Sequence, residues 1–234
     1  MLSPIITPDE ITALTLSLKV AFWALFWGLP FAIGLAWLLA TKNFRGKIIV
    51  DTLIHAPLVL PPVIVGYVLL LGFGPNGTLG QFFENAFGLS FAFNWKGAAL
   101  ASGIMAFPLM VRAIRLSIES QNPKLILAAR SLGASPTRAF FTVTLPLATP
   151  GIISGGLLGF ARALGEFGAT ISFVASIPAL TQTLPLALFR AIETPGGEDA
   201  AFRLMVISLI IAVGALALSE YLARSVAKKQ RGAQ

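Results

Sequence analysis

Several apolar runs in this chain reach the ~20 residues that a helix needs to cross a bilayer, and short connections carrying most of the charge separate them. The pattern predicts an all-α membrane protein with about five transmembrane helices, at 12–40, 53–73, 97–117, 151–175 and 204–223. The first span is longer than a bilayer requires and carries Lys19 near one end, so it tilts or passes the interface while the lysine snorkels. The third has only 15 uncharged residues before Arg112, which predicts that its helix continues beyond the membrane, with Trp95 as its other interfacial anchor. After the fourth span, residues 176–189 are apolar, interrupted by Pro178 and Pro185, and too short to cross. They are expected to form a re-entrant or interfacial segment whose backbone is satisfied by a cavity or a partner.

Composition agrees with this class. Mean hydropathy is +0.83, and 12% of residues are charged, against about 25% in soluble domains. The chain has no cysteine and one histidine, which excludes a disulfide framework and a Cys/His metal site. His55 is expected to be structural or interfacial. A pI near 10.3 raises nucleic acid as a partner, but the placement of the charge opposes it. Residues 1–11 carry Asp9 and Glu10 without a cation, and 41–52 carry Lys42, Arg45 and Lys47 against Asp51. Glu84 balances Lys96 in 74–96, whereas 111–150 holds Arg112, Arg115, Lys124, Arg130 and Arg138 against Glu119. Residues 176–203 hold Arg190 and Arg203 against Glu193, Glu198 and Asp199, and the tail, 224–234, is basic. This alternation is the positive-inside pattern. It predicts an N-terminus outside, a C-terminus in the cytoplasm, and lipid headgroups rather than nucleic acid as partners of the basic charge. MLSPIITPDE lacks the features of a cleavable signal peptide, so the first span is expected to serve as targeting signal.

Gly72, Gly74 and Gly77 satisfy G-x-G-x-x-G, but they follow a membrane helix where the dinucleotide fingerprint needs a βαβ unit. Pro75 and Asn76 predict a turn instead. The chain also has no G-x-x-x-x-G-K-[ST]. If ATP drives this protein, another subunit binds it.

The stretch 118–150 is a predicted cytoplasmic loop with its own structure. LILAARSLG favours a helix, and Ala128 and Ala129 let a partner approach its backbone closely. Gly133 permits the positive φ that ends a helix. Ser135 ahead of Pro136 is an N-cap followed by proline at the first helical position, and PTRAFFTVTL is expected to form a second short helix up to Pro146.

Residues 127–151, LAARSLGASPTRAFFTVTLPLATPG, resemble the EAA loop of ABC importer permeases, in which E-A-A, three residues and G precede an apolar segment ending in L-P. Ala128, Ala129, Gly133, Leu145 and Pro146 fit; Leu127 occupies the family's glutamate position. PLVLPPVIVGYVLLLGFGPNGTLG (57–80) and FARALGEFGAT (160–170) are similar to segments of molybdate importer permeases. The second is shared with sulfate permeases. The resemblance implies a type I ABC importer permease fold with short cytoplasmic coupling helices. It further implies a loop that docks an ATPase through Leu127, Ala128, Ala129, Gly133, Ala134, Ser135, Leu145 and Pro146. Two copies would form the pathway, with two ATP-binding subunits holding ATP and Mg below and a periplasmic oxyanion-binding protein above. No cofactor, metal or catalytic residue is expected in this chain. Molybdate is the expected substrate, with sulfate or tungstate as alternatives.

Arg162 and Glu166 are ionisable groups inside a predicted span, and such groups are functional by default. Their spacing of four puts them on one helical face. Counting from Gly151 at 1.5 Å per residue puts Arg162 about 16 Å along the span, near mid-bilayer. They are either a structural ion pair or part of the translocation pathway, with Arg162 attracting a dianion and Glu166 preventing its retention. Pro57, Pro61 and Pro62 predict a kinked second span that either narrows a gate or serves packing. Gly151, Gly155, Gly156, Gly159, Gly165 and Gly168 are expected to mark close helix packing. A secondary transporter would need broken helices in two repeated halves, which five spans with one distinctive loop do not supply.

Because the chain lacks cysteine, its topology can be read directly. Single cysteines replacing Asn76 and Glu198 should react with an impermeant thiol reagent from outside, and those replacing Asn43 and Ser135 only from the cytoplasm. Outside labelling at position 135 would overturn both the topology and the docking loop.

Overall fold

The structure, a computed structural model, describes residues 7–231; residues 1–6 of the N-terminal stretch and 232–234 of the tail lie outside it. The described elements are all helices. The first, α1, spans Pro8–Thr41. A capping box starts it: Thr7 Oγ1 accepts the Glu10 N–H at 3.4 Å and Glu10 Oε2 accepts the Thr7 N–H at 2.8 Å. Lys19 Nζ sits 3.8 Å from the Trp95 ring centroid, and Lys42 Nζ lies 6.0 Å from that of Trp37. At 1.5 Å per residue these two lysine–tryptophan pairs are about 35 Å apart along α1, enough to bracket a hydrocarbon core of about 30 Å.

The expected second span, 53–73, is not one helix. Helix α2 (Lys47–Val59) and α3 (Pro62–Phe73) meet at 115°. Pro57 passes within α2, but Pro61 and Pro62 remove two consecutive amide donors, and the ladder stops there. The GFGPNG stretch that follows is a turn, closed by Gly77 N–H to the Gly74 carbonyl at 2.9 Å. After it, α4 (Thr78–Phe87) is held by Phe83 against Phe73 and Phe91.

Helix α5 (Trp95–Glu119) is the hub, packed between α1 and α8 (Leu145–Leu164). Glycines on α8 permit this. A methyl group on Gly159 would lie 2.6 Å from Met110 Cγ, one on Gly155 3.1 Å from the Met110 carbonyl, and one on Gly151 would strike Ser117. Gly156, on another face, meets Leu25 and Leu29 of α1. Small residues at every fourth position bring the two helices together where water supplies no driving force. Ion pairs tie the ends: Arg115 reaches Asp51 of α2 at 3.1 Å and Glu119 at 2.7 Å, and His55 Nδ1 meets the Asp51 carbonyl at 2.8 Å. At the opposite end, Arg203 pairs with buried Glu10 at 2.9 Å.

The fourth expected span, 151–175, also differs. One continuous helical run extends from Pro136 to Leu164, so the second loop helix does not end at Pro146. A π-helical turn at Phe140–Thr144 lies just ahead of that proline, with the Leu145 N–H donating to the Phe140 carbonyl five residues back. The wider turn gives the ring room beside the preceding carbonyls. The run stops at Gly165, and α9 (Gly168–Val174) follows. Residues 176–189 are not one helix but a turn followed by a short helix: buried Thr181 Oγ1 accepts the Ile177 N–H and donates to the Ala175 carbonyl, both at 2.9 Å. Then α10 (Leu184–Glu193) is pinned by Leu184 N–H to Ser17 Oγ at 2.7 Å. The fifth expected span falls within α11 (Glu198–Arg231).

A β-carbon on Gly66 would collide with the Ala169 carbonyl, whereas one on Gly72 meets only Leu79 at 3.9 Å. Gly66→Val should therefore lower stability by about 1–3 kcal/mol through overpacking, read as a lower melting temperature in detergent. Gly72→Ala should match or slightly exceed the parent. Equal melting of both variants would show that α3 and α9 do not pack as described.

Candidate functional site

Two places hold the residues singled out from the sequence. The first is the loop between α5 and α8. Asn122 Oδ1 accepts the Lys124 N–H at 3.0 Å and Pro123 takes the first turn of α6 (Pro123–Ser131). Its other end is a Schellman motif: Gly133 has φ of 88°, its N–H bonds to the Arg130 carbonyl, and the Ala134 N–H to the Ala129 carbonyl, both at 3.0 Å. Ser135 then caps α7 (Pro136–Ala139), accepting the Arg138 N–H at 3.2 Å. Gln121 Nε2 donates to the Thr144 carbonyl at 3.0 Å, and the Phe140 ring lies 5.2 Å from Trp37 of α1.

These contacts fix a short helix on the end of the bundle that carries Lys42 and Trp37, the end expected from the charge pattern to be cytoplasmic. The exposed surface of the loop mixes apolar and basic side chains: Leu125, Leu127, Leu132 and Phe141 are exposed, Leu132 at 89%, beside exposed Lys124, Arg130 and Arg138. Ala128 is exposed, and Ala129 and Ala134 half-buried. Leu127 thus presents an apolar side chain to solvent. Leu145 and Pro146 lie inside the continuous helix, away from the Gly133 turn.

The second place is the break after α8. Arg162 occupies the last turn of α8, where a cation suits the negative end of the helix dipole, and Glu166 lies just before α9, where an anion suits the positive end. Arg162 Nη1 and Glu166 Oε2 are 2.6 Å apart. Glu166 Oε1 accepts the Ala169 N–H at 2.8 Å, satisfying a donor at the start of α9. The carboxylate is buried, while 27% of the Arg162 side chain stays exposed. Arg162 contacts its partner through Nη1 and remains partly exposed.

The depth counted from Gly151 has to be replaced, since the helix starts at Pro136. From the other end, a β-carbon on Gly97 would lie 2.9 Å from Val174 Cγ1, so Val174 is level with the Trp95 end of α5. Gly168, the first residue of α9, is then roughly 9 Å from that level at 1.5 Å per residue, and Glu166 lies just before it in the break. The two helix breaks meet here: Pro62 lies against Gly168, 2.7 Å from where its β-carbon would stand. Arg162 and Glu166 are thus brought together at the break, and Pro62 packs on the start of the helix that follows it. Pro61 is exposed at the elbow, and its carbonyl accepts the Ile64 N–H at 2.9 Å.

Three features were missed from the sequence. The N-P pair at 122–123 carries the same capping signal as S-P at 135–136 and could have been read. T-x-x-E at 7–10 is a legible capping box. The long-range pairs Glu10–Arg203 and Ser17–Leu184 have no local signal.

The chain matches, over residues 28–229, the family described as binding-protein-dependent transport system inner membrane component. It is 54% identical over 220 residues to the molybdenum transport system permease protein ModB of Haemophilus influenzae, covering 94% of this chain and 96% of that protein. The sulfate transport system permease protein CysT of Salmonella typhimurium is 31% identical over 207 residues, covering 87% and 74%. Among solved structures, a bacterial ABC transporter involved in the import of alginate superposes with a TM-score of 0.74 at 18% identity, covering 94% of this chain and 80% of that one. The MetNI methionine ABC transporter, in an inward-facing conformation, gives 0.68 at 17% identity, covering 93% and 94%.

Removing one member of the Arg162–Glu166 pair should cost about 3–5 kcal/mol, because the other charge is left without its partner. Arg162→Ala and Glu166→Ala should each lower the melting temperature in detergent. The double variant should fall short of their sum by about 1–3 kcal/mol, as coupled sites do. Strict additivity would show that the ion pair does not form.

Proposed function

The chain belongs to the family of binding-protein-dependent transport system inner membrane components, and we propose that it is the permease subunit through which an ATP-driven importer passes molybdate across the cytoplasmic membrane. It carries the type I importer permease fold, and ATP hydrolysis belongs to a separate subunit. The observation that carries the docking part of this reading is the loop at 122–135, capped at both ends, with Leu125, Leu127 and Leu132 left uncovered between exposed Lys124 and Arg130. Two ATP-binding subunits, holding ATP and Mg, press on α6 of two copies of this chain, and a periplasmic binding protein delivers the oxyanion from the opposite side. The N-terminus lies outside and the basic tail in the cytoplasm.

The helical run Pro136–Leu164 gives this arrangement its mechanics. It begins one turn after the docking helix and ends at the break beside Arg162. Movement of the docked loop is delivered along a rigid rod, and its first joint is Gly165–Phe167, against the Pro61–Pro62 elbow. Arg162, oriented by Glu166, offers a passing dianion a partly exposed cation. Because Glu166 already neutralises it, the attraction is weak enough for release, as passage requires.

Sulfate and tungstate are the neighbouring readings, since all three ions are tetrahedral dianions. The 54% identity to molybdenum permeases, against 31% to the sulfate permease, favours molybdate. Uptake into vesicles containing the permease, its ATPase and the binding protein tests this. Labelled molybdate should accumulate only with ATP, and excess sulfate should compete poorly. Ala129→Arg, which places bulk and charge on the docking helix, should reduce uptake at least tenfold and leave insertion intact. Uptake without ATP would remove the importer reading, equal competition by sulfate the substrate assignment, and full uptake by Ala129→Arg the docking role of α6.

A further inference from the structure

Lys19 is the one charged residue between Glu10 and Lys42. Its side chain is exposed, and among the described residues it pairs with no carboxylate. It stands 3.8 Å over the Trp95 ring and borders a cavity of about 280 Å³ formed by the outer part of α1 and the turn at Ala179. Thr12 and Thr15 also line that cavity, but their hydroxyls donate to the Pro8 and Ile11 carbonyls, both at 2.8 Å. The ammonium is therefore the donor the cavity offers. Trp95 opens α5 beside it, adding the positive end of a helix dipole.

One helical turn further in, the same face of α1 becomes wholly apolar. Phe22 and Phe26 are about half exposed and stack at 6.0 Å, and Trp27 is exposed beside them. A cation at the level of the interfacial tryptophan, above an uncovered aromatic stripe, matches an amphiphile with an anionic head and an apolar tail. It does not match an ion in free solution, which would have no use for the stripe.

We infer that this pocket binds an anionic phospholipid of the leaflet on the Trp95 side, its phosphodiester on Lys19 and one acyl chain along Phe22 and Phe26. Lys19 reaches the headgroup phosphate because Trp95 holds its ammonium at the interface, where cation–π attraction favours it. The site depends on the bilayer placement of α1 and is independent of which oxyanion is carried.

The intact permease is reconstituted in vesicles of dibrominated phosphatidylcholine and unlabelled phosphatidylglycerol in varied ratio, and tryptophan fluorescence reads which lipid occupies the surface. A lysine near a membrane surface contributes about 1 kcal/mol toward an anionic lipid, so the parent should prefer phosphatidylglycerol roughly fivefold. Lys19→Gln should abolish that preference, and Lys19→Arg should keep it. Quenching by phosphatidylcholine alone should be the same in all three, which shows that each has folded. An undiminished preference in Lys19→Gln would overturn the site. Loss of preference on adding inorganic phosphate at constant ionic strength would show that a free anion is bound, and would overturn the lipid assignment.

Discussion

A backbone amide or carbonyl left without a partner in hydrocarbon costs several kcal/mol, and this rule governs the architecture from one end to the other. It allows an unbroken helix to leave apolar side chains uncovered along its length, as α1 does with Phe22, Phe26, Trp27 and Phe31. It forbids a helix to stop inside the membrane unless protein covers the stop. Two helix breaks fall within expected spans, at Pro61–Pro62 and at Gly165–Phe167, and each is covered by the other: Pro62 lies on Gly168, and Gly66 lies under Ala169. Glu166 completes the cover by accepting the Ala169 N–H. The buried carboxylate then requires Arg162, so the charges at the centre of the proposed pathway follow from the break.

The same rule separates rigid from movable parts. Between the Ser135 cap and Leu164 the helix has no interruption, although Pro146 and Pro150 lie within it. The π-helical turn at Phe140–Thr144 keeps it whole past the first proline. Glycines at 151, 155 and 159 then hold it tightly to α5. A rod bound along its length to the hub moves as a unit with it, which leaves the two breaks as the places where backbone angles can change.

Much of this was legible in the sequence, and the failures share one cause. Apolar length marked long helices such as α1 and α5 because it is a one-dimensional property. The turn at Gly133 and the cap at Ser135 were legible because capping depends on neighbours within four residues. Helix continuity was not. Proline was read as a kink at 61–62 and as a stop at 146; the structure has a 115° break at the first and an unbroken helix at the second. Pro30, Pro57, Pro108 and Pro150 also lie inside helices. What a proline does depends on whether other helices or a widened turn accommodate its ring and the carbonyls behind it, and that is a property of packing. The break at Gly165 has no proline at all; what packs against it, Pro62 on Gly168, comes from a helix about a hundred residues earlier and has no local signal.

The electrostatics of the break constrain what the proposed pathway can discriminate. A guanidinium with no counter-ion inside the membrane would bind any dianion strongly and release it slowly. Here Arg162 is already paired at 2.6 Å, and it also sits at the negative end of α8, so the net potential it offers is small. A site of this kind lowers the barrier for a tetrahedral dianion without measuring it. Molybdate and sulfate carry the same charge and symmetry and differ mainly in size. Telling them apart requires a closed cage of donors at fixed distances, and a single half-exposed arginine beside two helix ends is no such cage. In the proposed importer, discrimination between these ions therefore precedes entry into this chain, and the permease contributes a gated path whose weak central attraction is a condition of its speed.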